Sequence, residues 1–262
     1  MVHIAGSQFD SFASLTADAV QVGADVQITL GNGQFLTLQN VQLSALNAAQ
    51  FGLDALLKTA AASAASTSTL TGTKQADHLI GTAGADLLDG VGGGDVLAGG
   101  FGDDTYAIRN VADAIVEMSG GGIDTARVYI TDYAFAANVE NATAMTSAAT
   151  QLKGNAAANI LIGNAGADTL IGAGGNDILT GGAGKDTFMF FDLKGGSDVI
   201  TDFRSGEDKI DLSAVVDAYS NGTISHVATP RGMEIYFDHG TQHDLIVTLS
   251  GVSTYVAGDF II

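Results

Sequence analysis

Large apolar residues recur at every ninth position in two stretches of this chain. Residues 72–107 divide without gaps into the nonapeptides GTKQADHLI, GTAGADLLD, GVGGGDVLA and GGFGDDTYA, and residues 154–189 into GNAAANILI, GNAGADTLI, GAGGNDILT and GGAGKDTFM. The eighth position of the units is, in order, Leu79, Leu88, Leu97, Tyr106, Leu161, Leu170, Leu179 and Phe188. A disordered glycine-rich linker needs no repeated apolar position, so this period predicts a stacked repeat structure.

Each nonapeptide predicts a tight turn followed by a short strand. Glycine at positions one, two and four permits positive φ angles and lets the carbonyl oxygens of the turn point inward. The last three residues then form a strand whose central apolar side chain faces the interior. Two consecutive units make one coil, and coils stack as parallel strands about 4.8 Å apart. The repeats therefore predict an all-β parallel solenoid.

The sequence on both sides of the repeats predicts antiparallel hairpins. Near the start, residues 26–30 alternate between apolar and polar, residues 31–33 form a turn with glycine, and residues 35–41 form the second strand. Near the end, residues 233–237, 239–240 and 245–252 have the same three roles. These hairpins resemble caps on the two ends of the repeat region.

The segment between the blocks has a looser form of the same pattern. Residues 108–116 indicate a degraded nonapeptide with Asp113 at position six, and residues 125–139 indicate longer strands. The two blocks are expected to form either one continuous stack or two stacks joined by strands. The organisation that follows is a cap-like hairpin segment at 1–57, an Ala/Ser/Thr linker at 58–71, a first block at 72–107, connecting strands at 108–153, a second block at 154–189 and a C-terminal capping region at 190–262.

The composition points to cations as partners. The 262 residues include 29 acidic and 10 basic residues, and the acids are 25 Asp against 4 Glu. Such a charge disfavours nucleic acid and anionic membrane surfaces, so neither is expected as a partner. Asp is the carboxylate that suits tight turns and hard cations. The chain has no Cys, which excludes disulfides and thiolate metal sites.

Position six of the nonapeptides is acidic in seven of eight units: Asp77, Asp86, Asp95, Asp104, Asn159, Asp168, Asp177 and Asp186. Stacking of coils places Asp77 beside Asp95, Asp86 beside Asp104, Asn159 beside Asp177, and Asp168 beside Asp186. Two carboxylates about 5 Å apart repel by about 3 kcal/mol at an effective dielectric constant near 20. Ca²⁺ would reverse this, because it accepts about six to eight oxygen ligands in irregular geometry. With one apolar core residue in nine, folding and metal binding are expected to be coupled.

The repeated unit G-G-x-G-x-D-x-U-x, where U is apolar, resembles the RTX hemolysin-type calcium-binding repeat. Residues 195–203 and 206–213 are similar to the segment that follows the last repeats in that family, and Asp259-Phe260-Ile261-Ile262 resembles the ending of proteins exported by type I secretion. The resemblance implies a parallel β-roll, stabilised by calcium and flanked by the cap-like hairpins. It also makes residues 190–262 a capping and secretion-signal region.

The resemblance further implies that calcium binds the position-six side chains together with turn carbonyls of two stacked turns. The turn residues that would contribute are Thr73, Gln75, Gly90 and Gly92 with Asp77 and Asp95; Thr82, Gly84, Gly99 and Phe101 with Asp86 and Asp104; Asn155, Ala157, Gly172 and Gly174 with Asn159 and Asp177; and Asn164, Gly166, Gly181 and Ala183 with Asp168 and Asp186. About four or more ions are expected. Gln75 and Ala157 replace a position-four glycine and Asn159 replaces an acid, so the opening site of each block is expected to be weaker, and the one at Asn159 weakest.

Other chemistry finds little support in the sequence. The sequence has no G-x-S-x-G nucleophile elbow, no phosphate-binding loop with its Lys, and no Cys nucleophile. The position-six Asp residues are equivalent copies, which favours repeated metal ligands over a single glycosidase site. No catalytic residue is therefore assigned. His239 and His243 could bind zinc on a helix, but the intervening residues favour a hairpin turn. No apolar stretch approaches the roughly 18 residues that span a bilayer, and residues 1–7 lack the features of a cleaved signal peptide.

The sequence thus favours a secreted, non-catalytic calcium-binding module, the C-terminal portion of a larger exported protein or a small stand-alone relative. Its expected partners are calcium and the type I secretion machinery. One alternative is an adhesin or surface-layer segment, since Ile80, Leu87, Val96, Ile162, Ile171 and Ile178 face outward and favour a packing partner. Another is the tail of a polysaccharide-modifying or hydrolytic enzyme. Calcium would then bridge this tail to an acidic cell-surface polysaccharide.

Overall fold

The computed structural model describes residues 19–22, 25–29, 35–38, 67–193, 195–219 and 222–262. Most of the predicted N-terminal segment and residues 58–66 of the linker lie outside these ranges. Near the N-terminus, β1 (Ala19–Val22), β2 (Asp25–Thr29) and β3 (Phe35–Leu38) form an antiparallel sheet. The pairing of β2 with β3 confirms the hairpin predicted there.

The repeats form a parallel β-roll whose strands alternate between two faces. The first face contains β4 (Thr69–Thr71), β6 (Leu87–Asp89), β8 (Thr105–Ile108), β10 (Thr125–Val128), β12 (Asn141–Ala144), β14 (Ile160–Ile162), β16 (Ile178–Thr180) and β18 (Asp198–Ile200). The second contains β5 (His78–Ile80), β7 (Val96–Ala98) and β9 (Ala114–Ile115) in one sheet, and β11 (Asp132–Ala134), β13 (Gln151–Lys153), β15 (Thr169–Ile171), β17 (Thr187–Met189), β19 (Lys209–Asp211) and β23 (Phe260–Ile261) in another. Because the first sheet includes strands from both blocks, the repeats form one continuous stack, and the all-β parallel roll is confirmed.

The interior is a ladder of the position-eight side chains. Seven of them are fully buried: Leu88, Leu97, Tyr106, Leu161, Leu170, Leu179 and Phe188. Leu79, in the opening repeat, is partly buried against the same cluster. Burying each such side chain contributes roughly 1.5–3 kcal/mol. This ladder holds the two faces together and fixes the position of every turn.

The connecting segment continues the roll. β10 pairs with β8 and β12 in parallel, and Ala126, Ala142 and Leu152 are buried at the level of the position-eight residues. The prediction of longer strands in residues 125–139 was wrong, because β10 and β11 have four and three residues, as in the repeats. The segment forms coils of the same kind with turns of different length.

The C-terminal end of the roll is covered by an antiparallel meander. It consists of β20 (Thr223–Thr229), β21 (Gly232–His239) and β22 (Gln242–Ser250), and β22 pairs in parallel with β18. This confirms the predicted hairpin and adds β20, which was not predicted. A short helix α1 (Ser213–Ala218) buries Val215. In the described ranges, no helix is both long and apolar enough to cross a membrane.

Candidate metal sites in the stacked turns

The residues at position six of the turns form two columns along the roll. In each column the backbone N–H of one residue donates to a side-chain oxygen of the next, as in Asp77 to Asp95 (2.9 Å) and Asp86 to Asp104 (2.7 Å). The second block has the same contacts, from Asn159 to Asp177 (2.8 Å) and from Asp168 to Asp186 (2.9 Å). The structure therefore brings together all four pairs that were expected from stacking.

The columns also include acids that lie outside the nonapeptides. Asp104 N–H donates to Asp124 (2.8 Å), and Asp124 N–H donates to Glu140 (2.8 Å). Further along the roll, Asp177 N–H donates to Asp198 and Asp186 N–H donates to Asp208. Sequence reasoning did not place Asp124 or Glu140 in a site. The motif Gly120-Gly121-Gly122-Ile123-Asp124, which resembles a repeat turn, was the available signal for Asp124.

Five buried carboxylate oxygens have no hydrogen-bond partner in the described part of the chain. They are the Oδ2 atoms of Asp95, Asp104, Asp124, Asp168 and Asp177, and each of these residues is 1% exposed. By contrast, Asp77 Oδ2 accepts hydrogen bonds from the backbone and hydroxyl of Thr73, and Asp86 Oδ2 accepts them from Thr82. A buried carboxylate oxygen without a partner costs several kcal/mol unless a cation or donor satisfies it.

Turn carbonyls lie close to the position-six carboxylates. A Cβ atom at Gly72 would lie 2.8 Å from both Asp77 Oδ2 and Gly90 O, and one at Gly163 would lie 2.6 Å from both Asp168 Oδ2 and Gly181 O. The position-one glycines therefore leave room where a carboxylate oxygen and a carbonyl oxygen of the next coil converge. This donor set consists of hard oxygens in irregular geometry, which fits Ca²⁺ better than Mg²⁺.

The predicted carbonyl ligands have two kinds of environment in this structure, and Asn164 has both. Those of Gln75, Thr82, Gly84, Gly90, Gly99, Ala157, Asn164, Gly166, Gly172 and Gly181 lie against a glycine of the stacked turn, where a Cβ would collide with them. The carbonyls of Thr73, Asn155 and Asn164 accept backbone hydrogen bonds from Gly92 (3.1 Å), Gly174 (3.1 Å) and Ala183 (2.7 Å). Phe101, at position three, is 50% exposed. The ligand role of each residue stays a prediction.

Burial raises the pKa values of several aspartates in the columns. It raises the pKa of Asp104 and of Asp198 to about 7, and that of Asp124 and of Asp177 to about 6. Burial is the largest cause in each case, and the hydrogen bond from a backbone N–H opposes it. For Asp104, the neighbouring carboxylates of Asp124 and Asp86 raise the pKa further. Burial also raises the pKa values of Asp95, Asp168 and Asp186.

Asn159 differs from the other column residues because it is internally satisfied. Its Oδ1 accepts the N–H of Asn155 (2.9 Å), and its Nδ2 donates to the carbonyl oxygens of Val139 (3.2 Å) and Glu140 (3.3 Å). An amide N–H therefore takes the place beside these carbonyls that a cation would need. The expectation of a weak site at Asn159 now has a physical basis and stays a prediction.

The two histidines of the C-terminal hairpin each contact a carboxylate. His239 Nε2 lies 2.8 Å from Asp244 Oδ2, and His243 Nδ1 contacts Asp238 Oδ1. His239 ends β21 and Gln242 begins β22, so the residues between them form the hairpin turn that the sequence favoured.

Comparison with known proteins identifies the repeats. The family model described as RTX calcium-binding nonapeptide repeat (4 copies) matches residues 71–106 and 153–188. These ranges agree within one residue with the two blocks read from the nine-residue period. The two blocks are RTX calcium-binding repeats, and the chain contains a calcium-binding module.

Solved structures with related features include two bacterial proteins. One is a subunit of the Azotobacter vinelandii mannuronan C5-epimerase, with 27% identity, a TM-score of 0.38, and coverage of 50% of this chain and 79% of that chain. Another is the extracellular lipase LipA of Serratia marcescens, with 21% identity, a TM-score of 0.26, and coverage of 75% of this chain and 38% of that chain. The search of curated proteins found no match.

Proposed function

We propose that this chain is a module that folds when Ca²⁺ fills its turns outside the cell, and that it thereby supports the export and stabilisation of a type I secretion substrate. The proposal rests above all on one observation, the five buried carboxylate oxygens in stacked turns that lack a hydrogen-bond partner within the described ranges. The repeats themselves bind calcium. About four or more ions would be needed to serve both columns.

The energetics of the columns support coupling between binding and folding. Without a cation, the folded chain must bury acids next to one another, and the raised pKa values of Asp104 and Asp177 reflect that cost. The core offers one large side chain per nonapeptide against about 1–2 kcal/mol of backbone entropy per residue. Calcium that binds only the folded state adds its binding free energy to folding.

The difference in calcium concentration across the cell envelope would set the place of folding. Sites of roughly 10⁻⁴ to 10⁻³ M affinity stay empty in a calcium-poor cytosol and fill at millimolar calcium outside. The chain would then remain unfolded during passage through the secretion machinery and fold after it leaves. In this proposal the module has no catalytic role and serves whatever sequence precedes it.

A contact surface is a second candidate role, and one observation favours it. Ile160 and Ile178 are adjacent in the register of β14 and β16, and they are 40% and 41% exposed on the outer face. Among the other residues that the sequence predicted to face outward, Ile171 is buried. The side chains of Ile80, Leu87, Val96 and Ile162 are partly buried. Calcium-dependent binding to alginate-like polymers, compared with binding to cell surfaces, would separate a polysaccharide partner from an adhesive one.

Circular dichroism across a calcium titration tests the main proposal. We expect a largely unordered spectrum in chelator and a β-rich spectrum at millimolar Ca²⁺, with a steep transition between them. Mg²⁺ at the same concentration is the control and should produce little change, because it requires compact octahedral geometry. Equal strand content with chelator and with calcium would rule out calcium-triggered folding.

A further inference from the structure

The coil that follows the first block differs from a regular coil. Stacked position-six residues are 18 apart between Asp86 and Asp104 but 20 apart between Asp104 and Asp124. On the opposite face the regular register continues, because Leu97 pairs with Ile115. Glu117 therefore stands opposite Gly99, where a further nonapeptide would have its position-one glycine.

Glu117 turns its carboxylate into the gap between these coils. Its Oε1 accepts a hydrogen bond from Gly99 N–H at 3.2 Å, and its Oε2 accepts one from Met118 N–H at 3.1 Å. In the regular coils the N–H of the position-one glycine donates to the position-nine carbonyl of the stacked unit, as Gly72 N–H does to Asp89 O (2.8 Å). At Gly99 a carboxylate oxygen of Glu117 accepts this N–H in place of a main-chain carbonyl.

Two column residues complete the cluster. Asp104, Glu117 and Asp124 each offer a carboxylate oxygen, and these oxygens lie within 4.8 Å of one another. Asp104 and Asp124 are each 1% exposed, and the Oδ2 atom of each lacks a hydrogen-bond partner among the described residues. Two buried, unsatisfied oxygens beside a third carboxylate are stable together only with a cation or with bound protons.

A main-chain oxygen borders the same gap. A Cβ atom at Gly121 would lie 2.7 Å from Gly100 O and 3.0 Å from Glu117 Oε2. The available donors are therefore three carboxylates and at least one carbonyl. Such a set of hard oxygens suits Ca²⁺, and its higher negative charge favours tighter binding than a site built mainly from carbonyls.

We propose that Asp104, Glu117 and Asp124 form a calcium site that joins the first repeat block to the connecting strands and fills before the regular sites. This inference rests on the proposed function, since it assumes that the turns bind calcium. It assigns Glu117 as a ligand supplied where the nine-residue pattern is interrupted.

Counting bound calcium in Glu117→Gln tests the assignment. The substitution keeps the shape of the side chain and an acceptor for Gly99 but removes its charge. We expect the tightest ion to bind at least about tenfold more weakly, while the remaining ions are unaffected. Glu234→Gln, on β21 and away from the turns, is the matched control and should bind calcium like the parent chain.

Terbium luminescence provides a second test that leaves all carboxylates intact. The Tyr106 hydroxyl oxygen accepts a hydrogen bond from the same Gly99 N–H (2.9 Å), so Tyr106 lies next to the proposed site and can sensitise Tb³⁺ bound there. We expect the first Tb³⁺ equivalent to give tyrosine-excited emission that Tyr106→Phe removes and Tyr219→Phe keeps.

The outcomes separate this inference from the proposed function. If the parent chain neither binds calcium nor folds with it, the proposed function fails. If the parent chain binds calcium but Glu117→Gln binds it equally well, or if the Tyr106-dependent emission appears only with later ions, the Glu117 site is overturned alone.

Discussion

At the scale of single residues, the position-six aspartate has two separate tasks. In Asp177, Oδ1 accepts the N–H of Asn159 and so links two coils, while Oδ2 has no partner in the described chain. One oxygen stabilises the stack and the other remains available to a cation. Asn can perform the first task but not the second, because its other side-chain atom is a donor.

Asn159→Asp should make folding more dependent on calcium. The substitution removes the amide N–H groups that donate to Val139 and Glu140 and places a buried charge beside those carbonyls. At a calcium concentration just above the folding midpoint, we expect a loss of about 1–3 kcal/mol in the free energy of unfolding, and in excess calcium one additional or tighter calcium ion. Denaturant unfolding at this low calcium concentration and at saturating calcium, together with ion counting, measures both effects.

Gln242→Glu is the control for Asn159→Asp, because it introduces the same charge at an exposed position of the C-terminal hairpin. It should change neither quantity appreciably. If Asn159→Asp were as stable as the parent chain at the low calcium concentration, the Asn159 amide would not stabilise the turn as proposed.

At the scale of elements, the turns need glycine for two distinct reasons. Gly175 has φ of +104°, and a Cβ atom there would lie 2.5 Å from Ala157 O in the neighbouring coil. Gly206 has φ of +86°, yet nothing lies within 4 Å of its Cβ position. The first glycine is required by both backbone conformation and close approach, and the second by conformation alone.

Gly175→Ala and Gly206→Ala together separate these two costs. We expect Gly206→Ala to lower the free energy of unfolding in calcium by about 1 kcal/mol, from backbone strain alone. Gly175→Ala should lower it by at least about 2 kcal/mol more, because the turn must also move away from the stacked carbonyl and so loosens the adjacent site. Equal losses in denaturant unfolding would show that close approach of the turns contributes little.

The strand register is kept across coils that differ in length. Successive coils of the roll differ in length, with position-six residues 18 apart at Asp168 and Asp186 but 22 apart at Asp186 and Asp208. The strand register nevertheless continues from β17 to β19, with Phe188 opposite Ile210. Extra residues are accommodated in the loops because the buried ladder requires only that the apolar residues align.

At the scale of the whole molecule, the buried acids predict an unusual pH dependence. Folding raises the pKa of Asp104 and Asp198 to about 7 and of Asp124 and Asp177 to about 6, above about 3.9 for an unfolded Asp. The metal-free folded state therefore binds more protons than the unfolded chain between about pH 4 and 7. Its stability should rise as pH falls through this range and be lost as pH rises through the folded-state values.

In saturating calcium the trend should reverse, because the ion binds the ionised carboxylates and protons compete with it. For the calcium-free protein, strand content measured by circular dichroism at pH 5 and pH 7.5 provides the comparison, and for the calcium-saturated protein the denaturant midpoints at the same two pH values do. A calcium-free chain with more strand at pH 7.5 than at pH 5 would contradict the burial of ionisable acids in the columns.

The C-terminal end of the described roll shows how the last coil is covered on both faces. The meander of β20, β21 and β22 extends the first sheet, and β23 pairs with β19 to extend the second. Asp259, which precedes β23, is fully buried and accepts hydrogen bonds from Ser205 and Gly206. The acidic and apolar residues 259–262, which resemble a secretion signal, thus also cover the end of the fold.

The sequence alone was sufficient to predict the roll and the acids of the two blocks. Each nonapeptide contains its own turn glycines, its position-six ligand and its buried apolar residue, so a local period specifies the strand, the turn and the stacking distance together. The C-terminal hairpin was predictable for the same reason, since its alternation and its turn are local signals.

Only the tertiary structure placed Glu117, Asp124 and Glu140 beside the column, and only it joined β22 to β18. Parallel strand pairing connects residues far apart in the chain, and its register depends on which apolar side chains align in the core rather than on a constant number of intervening residues. Where the period breaks between the blocks, the neighbours of a carboxylate are therefore decided by packing, which the local sequence does not specify.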